Sequence, residues 1–260
     1  MTLAPNDLMA PALQTRGLCR QFGALSAAQS VDFVLPQGAR HALIGPNGAG
    51  KTTFLNLITG VLSADAGTIH LLGKDITILR PDQRVRQGLV RTFQRANLFP
   101  TLTPLESVTL AVCERLGLTA NWRRRTDSYR AAVDEAFCLL QQLRIAHLSE
   151  RPTQNLAYGQ QRILEVAVAL ALQPRVLLLD EPAAGIPAED SAELFELIAG
   201  LPQNLSLLFI EHDMDLVFRF ATRVTVMMDG RIVAEGSPCE VAADAQVQAI
   251  YLGSAAGQLT

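Results

Sequence analysis

The sequence is short of cysteine, of excess positive charge and of long apolar runs, and each shortage closes off a class of protein. Its four cysteines (Cys19, Cys113, Cys138, Cys239) lie far apart and form no C-x-x-C pair. That spacing argues against a disulfide framework or a zinc site, and for a reducing compartment. The formal net charge is −3, so the chain carries no electrostatic footprint for nucleic acid. No apolar run approaches the ~20 residues of a membrane span. The richest, Ile163 to Leu172, is short and carries Glu165. The N-terminus has no basic stretch followed by an apolar core, so no export leader is expected. There is no internal repeat and no low-complexity segment. What remains is a 260-residue chain with 49% apolar residues, enough for a substantial core in one large domain or two small ones. These features predict a soluble, cytosolic protein.

The hydrophobic pattern changes along the chain. Residues 1–11 hold two prolines and read as a loose tail. From about 12 to 80, short strand-like runs are broken by Gly and Pro: Val31–Leu35, His41–Ile44 and Thr68–Leu72. From about 100 to 173 the pattern is helical. Thr103-Pro104-Leu105-Glu106 is a helix start with a Thr cap, Pro at the first position and Glu closing the capping box. Ile163, Val166, Ala167 and Leu170 keep helical spacing. Beyond 175 the chain alternates: strand Val176–Leu179, helix Ala188–Ala199, strand Leu205–Ile210, helix Asp215–Phe220, and closing strands Arg223–Met228 and Ile232–Ala234. Alternating β and α predicts an α/β fold with a parallel sheet covered by helices on both faces.

Residues Gly45-Pro46-Asn47-Gly48-Ala49-Gly50-Lys51-Thr52 fit G-x-x-x-x-G-K-[ST], the phosphate-cradling loop. A strand precedes this loop. A helix follows it from Thr52 to Ile58, with Gly60 as its stop. Glycines let the backbone approach a phosphate, and successive N–H groups and the helix dipole face the anion. In this pattern Lys51 reaches the β- and γ-phosphates and the Thr52 hydroxyl ligates Mg²⁺. Val176-Leu177-Leu178-Leu179-Asp180-Glu181 is an apolar strand ending in two acids. Asp180 would hold Mg²⁺, directly or through water, and Glu181 would polarise an attacking water.

Between the two motifs lies Asn155-Leu156-Ala157-Tyr158-Gly159-Gln160-Gln161-Arg162. With this peptide the chain resembles the nucleotide-binding subunits of ATP-binding cassette transporters, whose signature is a Leu-Ser-Gly-Gly-Gln-like peptide opening a helix. The resemblance covers about residues 12–253 and implies a P-loop NTPase (RecA-like) core with an antiparallel β subdomain (about 12–95 and 174–253). An α-helical signature subdomain would span about 96–173, with tails at 1–11 and 254–260. It implies ATP and Mg²⁺ as cofactors. It implies that Gly45 to Thr53 of one subunit and Leu156, Ala157, Tyr158, Gly159 and Gln160 of another close on one nucleotide. Gln94, in Arg91-Thr92-Phe93-Gln94, matches the family's glutamine that contacts Mg²⁺ and the attacking water. His212, in Ile210-Glu211-His212-Asp213, matches the switch histidine at the γ-phosphate. Phe22 stands where the family stacks an aromatic ring on adenine, although an apolar Phe beside a strand also suits a core.

Asn155–Arg162, Asp180–Gly185 and Ile210–Met214 look like the ATPases of branched-chain amino acid importers, whose near relatives import urea, short amides or aromatic acids. The partners implied are transmembrane permease subunits, a second ATPase subunit (the same chain or a paralogue) and, indirectly, a periplasmic substrate-binding protein. The expected place is peripheral, at the cytoplasmic face of the inner membrane. Contact with the permease is expected from Ala96 to Leu105. There Leu98-Phe99-Pro100 is either an exposed knob or local core. Arg123-Arg124-Arg125 beside Trp122 either face lipid headgroups or form a solvated loop. Two positions depart from the family pattern: Ala157 replaces the signature Ser, and Pro187 replaces the usual Asp or Asn of the D-loop, the segment after Glu181. A coiled-coil repair ATPase has no room here, and a kinase or GTPase lacks the signature peptide.

Overall fold

A computed structural model describes residues 10–92, 98–118 and 129–256 of the chain. Two sheets form among them. The first is antiparallel, in the order β2-β1-β4-β5, from β1 (Leu13–Phe22), β2 (Leu25–Leu35), β4 (Ala66–Leu71) and β5 (Lys74–Asp75). The second runs β10-β9-β3-β8-β7-β6. Its strands are β3 (Arg40–Ile44), β6 (Leu89–Arg91), β7 (Val176–Asp180), β8 (Ser206–Ile210), β9 (Arg223–Met228) and β10 (Arg231–Gly236). Strands β9, β3, β8, β7 and β6 are parallel, as the alternating pattern predicts. β10 is the exception, antiparallel to β9. The reason is local. Only Asp229 and Gly230 join the two, both with positive φ (47° and 75°), the geometry of a two-residue hairpin turn.

The central strands are apolar on both faces because both are covered. Leu43, Val176, Leu178, Leu208 and Ile210 point to one side. There they pack on α1 (Lys51–Thr59), through Phe54, Leu55 and Ile58, and on Leu13, Phe33 and Leu35 of the antiparallel sheet. Ala42, Ile44, Leu177, Leu179, Leu207 and Phe209 point to the other side. That side carries α3 (Pro104–Arg115), α4 (Arg130–Gln142), α5 (Tyr158–Ala171), α6 (Ala188–Ala199), α7 (Met214–Phe220), α8 (Pro238–Ala243) and α9 (Ala245–Ala256). Each fully buried Leu or Ile contributes about 1.5–3 kcal/mol of burial free energy.

Helix ends follow the sequence signals. Thr103 Oγ1 accepts from the Glu106 N–H (3.2 Å), and Glu106 Oε2 accepts from the Thr103 N–H (2.8 Å). α1 stops at Gly60, whose φ is 78°. Its last carbonyls have a partner that the sequence did not reveal. Arg84, in α2 (Pro81–Arg86), is 3% exposed. Its Nη1 donates to the Leu57 and Ile58 carbonyls (2.7 and 2.5 Å), its Nε to Leu79 (2.9 Å) and its Nη2 to Thr77 (2.8 Å). A buried cation at a helix C-terminus satisfies orphan carbonyls and opposes the negative end of the dipole. The helix that carries the phosphate loop at its N-terminus is thereby fastened at its far end to the segment after β5.

Candidate functional site

Strand β3 enters the loop at Gly45 and α1 leaves it at Lys51. Two glycines make the path possible. Gly45 has φ 150°, and a Cβ there would fall 2.1 Å from the Met227 carbonyl oxygen. Gly50, the N-cap of α1, has φ 99°, and a Cβ would fall 2.4 Å from the Ala27 carbonyl oxygen. The backbone can therefore press against β9 and β2 only without side chains at these points. Among the described residues no side chain caps the N-terminus of α1, so its first-turn N–H groups and the positive end of the dipole are presented to a ligand. Lys51 is buried and folds back over the loop, its Nζ donating to the carbonyls of Gly45 (2.6 Å) and Pro46 (3.0 Å). Burial lowers its pKa, while nearby Glu181 and Asp180 pull it back up.

The loop forms one wall of a cleft of about 610 Å³, whose lining includes Asn47, Gly48, Ala49, Gly50, Lys51, Thr52, Thr53, Phe22, Leu25, Asp229 and Glu181. Phe22 is 42% exposed here, with the Arg20 guanidinium 5.0 Å from its ring centroid. The cradle fits a chain of phosphates: backbone donors, a helix N-terminus and one ammonium. Thr52 and Asp180 offer hard oxygen donors of the kind Mg²⁺ takes. Among the described residues no cluster of three His, Cys, Asp or Glu side chains could hold an ion.

Asp180 ends β7, 2% exposed, and its Oδ2 accepts from Arg91 Nη2 at 2.5 Å. Arg91 Nη1 also donates to Asn56 Oδ1 (2.6 Å). Nothing local in the sequence marks Arg91, because only the pairing of β6 with β7 brings it to Asp180. The next residue, Glu181, still joins the ladder, its N–H donating to the Ile210 carbonyl (3.1 Å). It then turns with φ 50°. Its Oε1 lies 2.6 Å from His212 Nε2. Between these loops sits Glu211, 4% exposed, which accepts from the Ala183 N–H (2.9 Å) and the His212 N–H (3.2 Å). Burial pushes its carboxyl up, and the two N–H groups pull it back. Glu211 too was not singled out. Its signal was an acid directly after the apolar strand, next to His212.

Leu156–Gln160 does not line the cleft. Ala157 is the N-cap of α5, and its N–H donates to Gln160 Oε1 (3.0 Å). Tyr158 accepts from Arg162 Nη2 through its hydroxyl (2.6 Å) and lies under that guanidinium, 5.0 Å away. The same ring borders Gly185, where a Cβ would meet Tyr158 Cε1 at 3.4 Å. Gly159 borders Asp190 in the same way, with a would-be Cβ 3.3 Å from Oδ2. So the structure gathers Phe22, the Gly45–Thr53 loop, Asp180, Glu181 and His212, and leaves the signature peptide apart beside the D-loop. Gln94, Ala96 and the Trp122–Arg125 stretch lie outside the described residues.

Residues 28–184 match the family described as ABC transporter. The chain belongs to the ABC transporter family. It is 40% identical over 252 residues to the high-affinity branched-chain amino acid transport ATP-binding protein LivG of Salmonella typhimurium, covering 94% of this chain and 99% of that one. BraF of Pseudomonas aeruginosa, with the same description, is 38% identical over 255 residues, covering 94% and 99%. Among solved structures, the ADP conformation of an ATP-binding cassette of an ABC transporter superposes with a TM-score of 0.83 at 31% identity, covering 94% of this chain and 99% of that one. As an ABC cassette the chain keeps both departures in plain view. Ala157 caps α5 without a side-chain hydrogen bond, and Pro187 is the N-cap of α6, also without one.

Proposed function

We propose that this ABC protein is the ATP-hydrolysing subunit of an importer for branched-chain or other hydrophobic amino acids. One observation carries the hydrolytic part: the Glu181–His212 pair, 2.6 Å apart, with Glu181 on the wall of the phosphate-loop cleft. The names of LivG and BraF carry the cargo class.

In this reading Phe22 stacks on the base, and Gly45–Thr53 with Lys51 hold the phosphates. Thr52, Asp180 and Gln94 would hold Mg²⁺, which would supply positive charge against the phosphates. Glu181 orients the attacking water and takes its proton, while His212 fixes the carboxylate and reaches the γ-phosphate. Phosphoryl transfer asks for positioning and charge more than covalent chemistry, and these residues supply both. Leu156–Gln160 completes the pocket from a second subunit, because on its own chain it lies away from the cleft.

Among the described residues no helix is long and apolar enough to cross a membrane, so membrane contact falls to permease subunits. A groove of about 310 Å³ suits them, lined by Val85, Val90, Leu98, Val168 and Leu172. Leu98 forms part of this groove, whereas Phe99 is 65% exposed at its side of the chain. The predicted stretch thus divides between packing and exposure. In this reading the subunit is peripheral, held at the cytoplasmic face of the inner membrane by the transmembrane permease.

Glu181→Gln tests the reading. The variant should bind ATP as the parent does and form nucleotide-dependent dimers in sedimentation, with turnover lowered by about 100-fold or more. Turnover at the parent rate would refute the role of Glu181. Full activity in strictly monomeric protein would refute the shared pocket.

A further inference from the structure

Glu211 has no place in the scheme above, yet it occupies the junction of the two loops that scheme depends on. The loop after β7 carries Glu181, and the loop after β8 carries His212. The links between them include the Glu181 N–H to the Ile210 carbonyl, the Glu181–His212 side-chain pair, and Glu211. Of these, Glu211 is the side chain that grips both loops by their backbones. Its Oε1 accepts from the Ala183 N–H, two residues after Glu181, and its Oε2 from the His212 N–H.

Burying a carboxylate is costly unless its oxygens are well used. No ion pair to Glu211 forms among the described residues. A strand end that needed only packing would be served by an apolar residue, as Leu207–Ile210 are. What the acid adds is a two-pronged acceptor spanning two chain segments. The path it restrains is a strained one, since Glu181 itself stands at φ 50°. A chain leaving such a turn has many exits, and the Ala183 bond selects one.

We propose that Glu211 is a positioning residue for ATP hydrolysis, clamping the loop after Glu181 to the loop of His212 so that the two side chains face the γ-phosphate pre-aligned. The proposal rests on the roles given above to Glu181 and His212. Displacing a reacting group by ~1 Å can lower a rate by about 100-fold, so a clamp of this kind acts on kcat. It touches neither the phosphate loop nor Phe22, so it leaves nucleotide affinity alone.

The test uses the full chain assembled with its permease subunits. Glu211→Gln keeps the shape but turns an NH₂ group toward one of the two backbone N–H groups, so one bond becomes a donor–donor conflict. The expected result is a fall in kcat of about 10- to 100-fold, with KM for ATP and Kd for ADP within about threefold of the parent. Melting temperature should stay within about 4 °C. A second variant replaces Ala183 by lactic acid, so that an ester oxygen stands where the N–H was. It removes one donor, leaves Glu211 intact, and should lower kcat in the same way; it decides the matter if Glu211→Gln fails to fold. Either variant with kcat within about twofold of the parent overturns the proposal. So does a loss of kcat that runs in proportion to lost ATP affinity or lost thermal stability, which would mark Glu211 as structural only. Glu181→Gln in the same assay separates the readings: if it turns over freely, the roles of the pair fail, and if it is dead while Glu211→Gln is fully active, only the clamp fails.

Discussion

Arg84→Met isolates the polar work of one buried side chain. Methionine keeps much of the aliphatic volume and removes the guanidinium. Four carbonyls lose a charged donor: Leu57, Ile58, Leu79 and Thr77. A hydrogen bond to a charged group is worth about 1.5–3 kcal/mol, but four bonds from one group are not additive. Some of the loss is returned, because the cation need no longer be desolvated. The Leu57 carbonyl also keeps the Gly60 N–H at 3.2 Å. The helix C-terminus forfeits a favourable charge worth up to about 2 kcal/mol. Together these give a loss of about 3–5 kcal/mol, a large share of a domain's net stability. Urea unfolding followed by circular dichroism should show a lower midpoint with an unchanged slope. At about 2–4 °C per kcal/mol the melting temperature should fall by about 10 °C. Arg84→Lys should recover part of the loss, since an ammonium reaches fewer of the four acceptors. A change below about 1 kcal/mol in Arg84→Met would refute the view that this residue anchors α1.

Three further outcomes can be checked. Gly45→Ala places a methyl 2.1 Å from the Met227 oxygen at φ 150°. It should cost about 3 kcal/mol or more and abolish binding of a fluorescent ATP analogue; retained binding would refute the tight-loop geometry. Phe22→Ala should weaken ATP and ADP alike, by about 1–2 kcal/mol or roughly 5- to 30-fold in calorimetric Kd, and an unchanged Kd would move the base elsewhere. His41 is 0% exposed and bonded to Thr225 Oγ1 (2.7 Å), and burial takes its pKa from 6.5 to about 3. The unfolded chain binds this proton first, so the contribution to stability is whole above pH 6.5 and erodes toward pH 3 at about 1.4 kcal/mol per unit. Comparing urea midpoints of the parent and His41→Gln between pH 7 and about pH 4 should show the parent losing stability more steeply; parallel curves would refute the buried neutral imidazole.

What the sequence made legible was what local chemistry dictates. The phosphate loop, the Gly60 stop, the Thr103 box and the apolar run ending in Asp180 each announce themselves within a few residues. The hairpin at Asp229-Gly230 is equally local, an Asp-Gly pair between two apolar runs. Other features depend on distant partners. β6 has three residues and exists because Leu89, Val90 and Arg91 pair with β7; Val90 suits a strand, but so short a run does not announce one. β1 mixes Arg and Gln with apolar residues, and its register with β2 shifts between Thr15 and Leu18, between Leu18 and Arg20, and between Arg20 and Gln21, so no clean alternation survives. The Arg91–Asp180 pair spans 89 positions and the Arg84–Leu57 bond 27. Both link residues whose own surroundings give no hint of the other. For the candidate site, the motif residues were nameable, while the groups that hold them in place (Arg91 and Glu211) came only with the fold.

The φ of 50° at Glu181 sets two selective pressures against each other. A side chain in left-handed backbone costs about 1–2 kcal/mol, and glycine would be relieved of that cost. The same exchange removes the carboxylate. A mutant library enriched only for survival of heating should therefore accumulate glycine at this codon, and its sturdiest members would be inert.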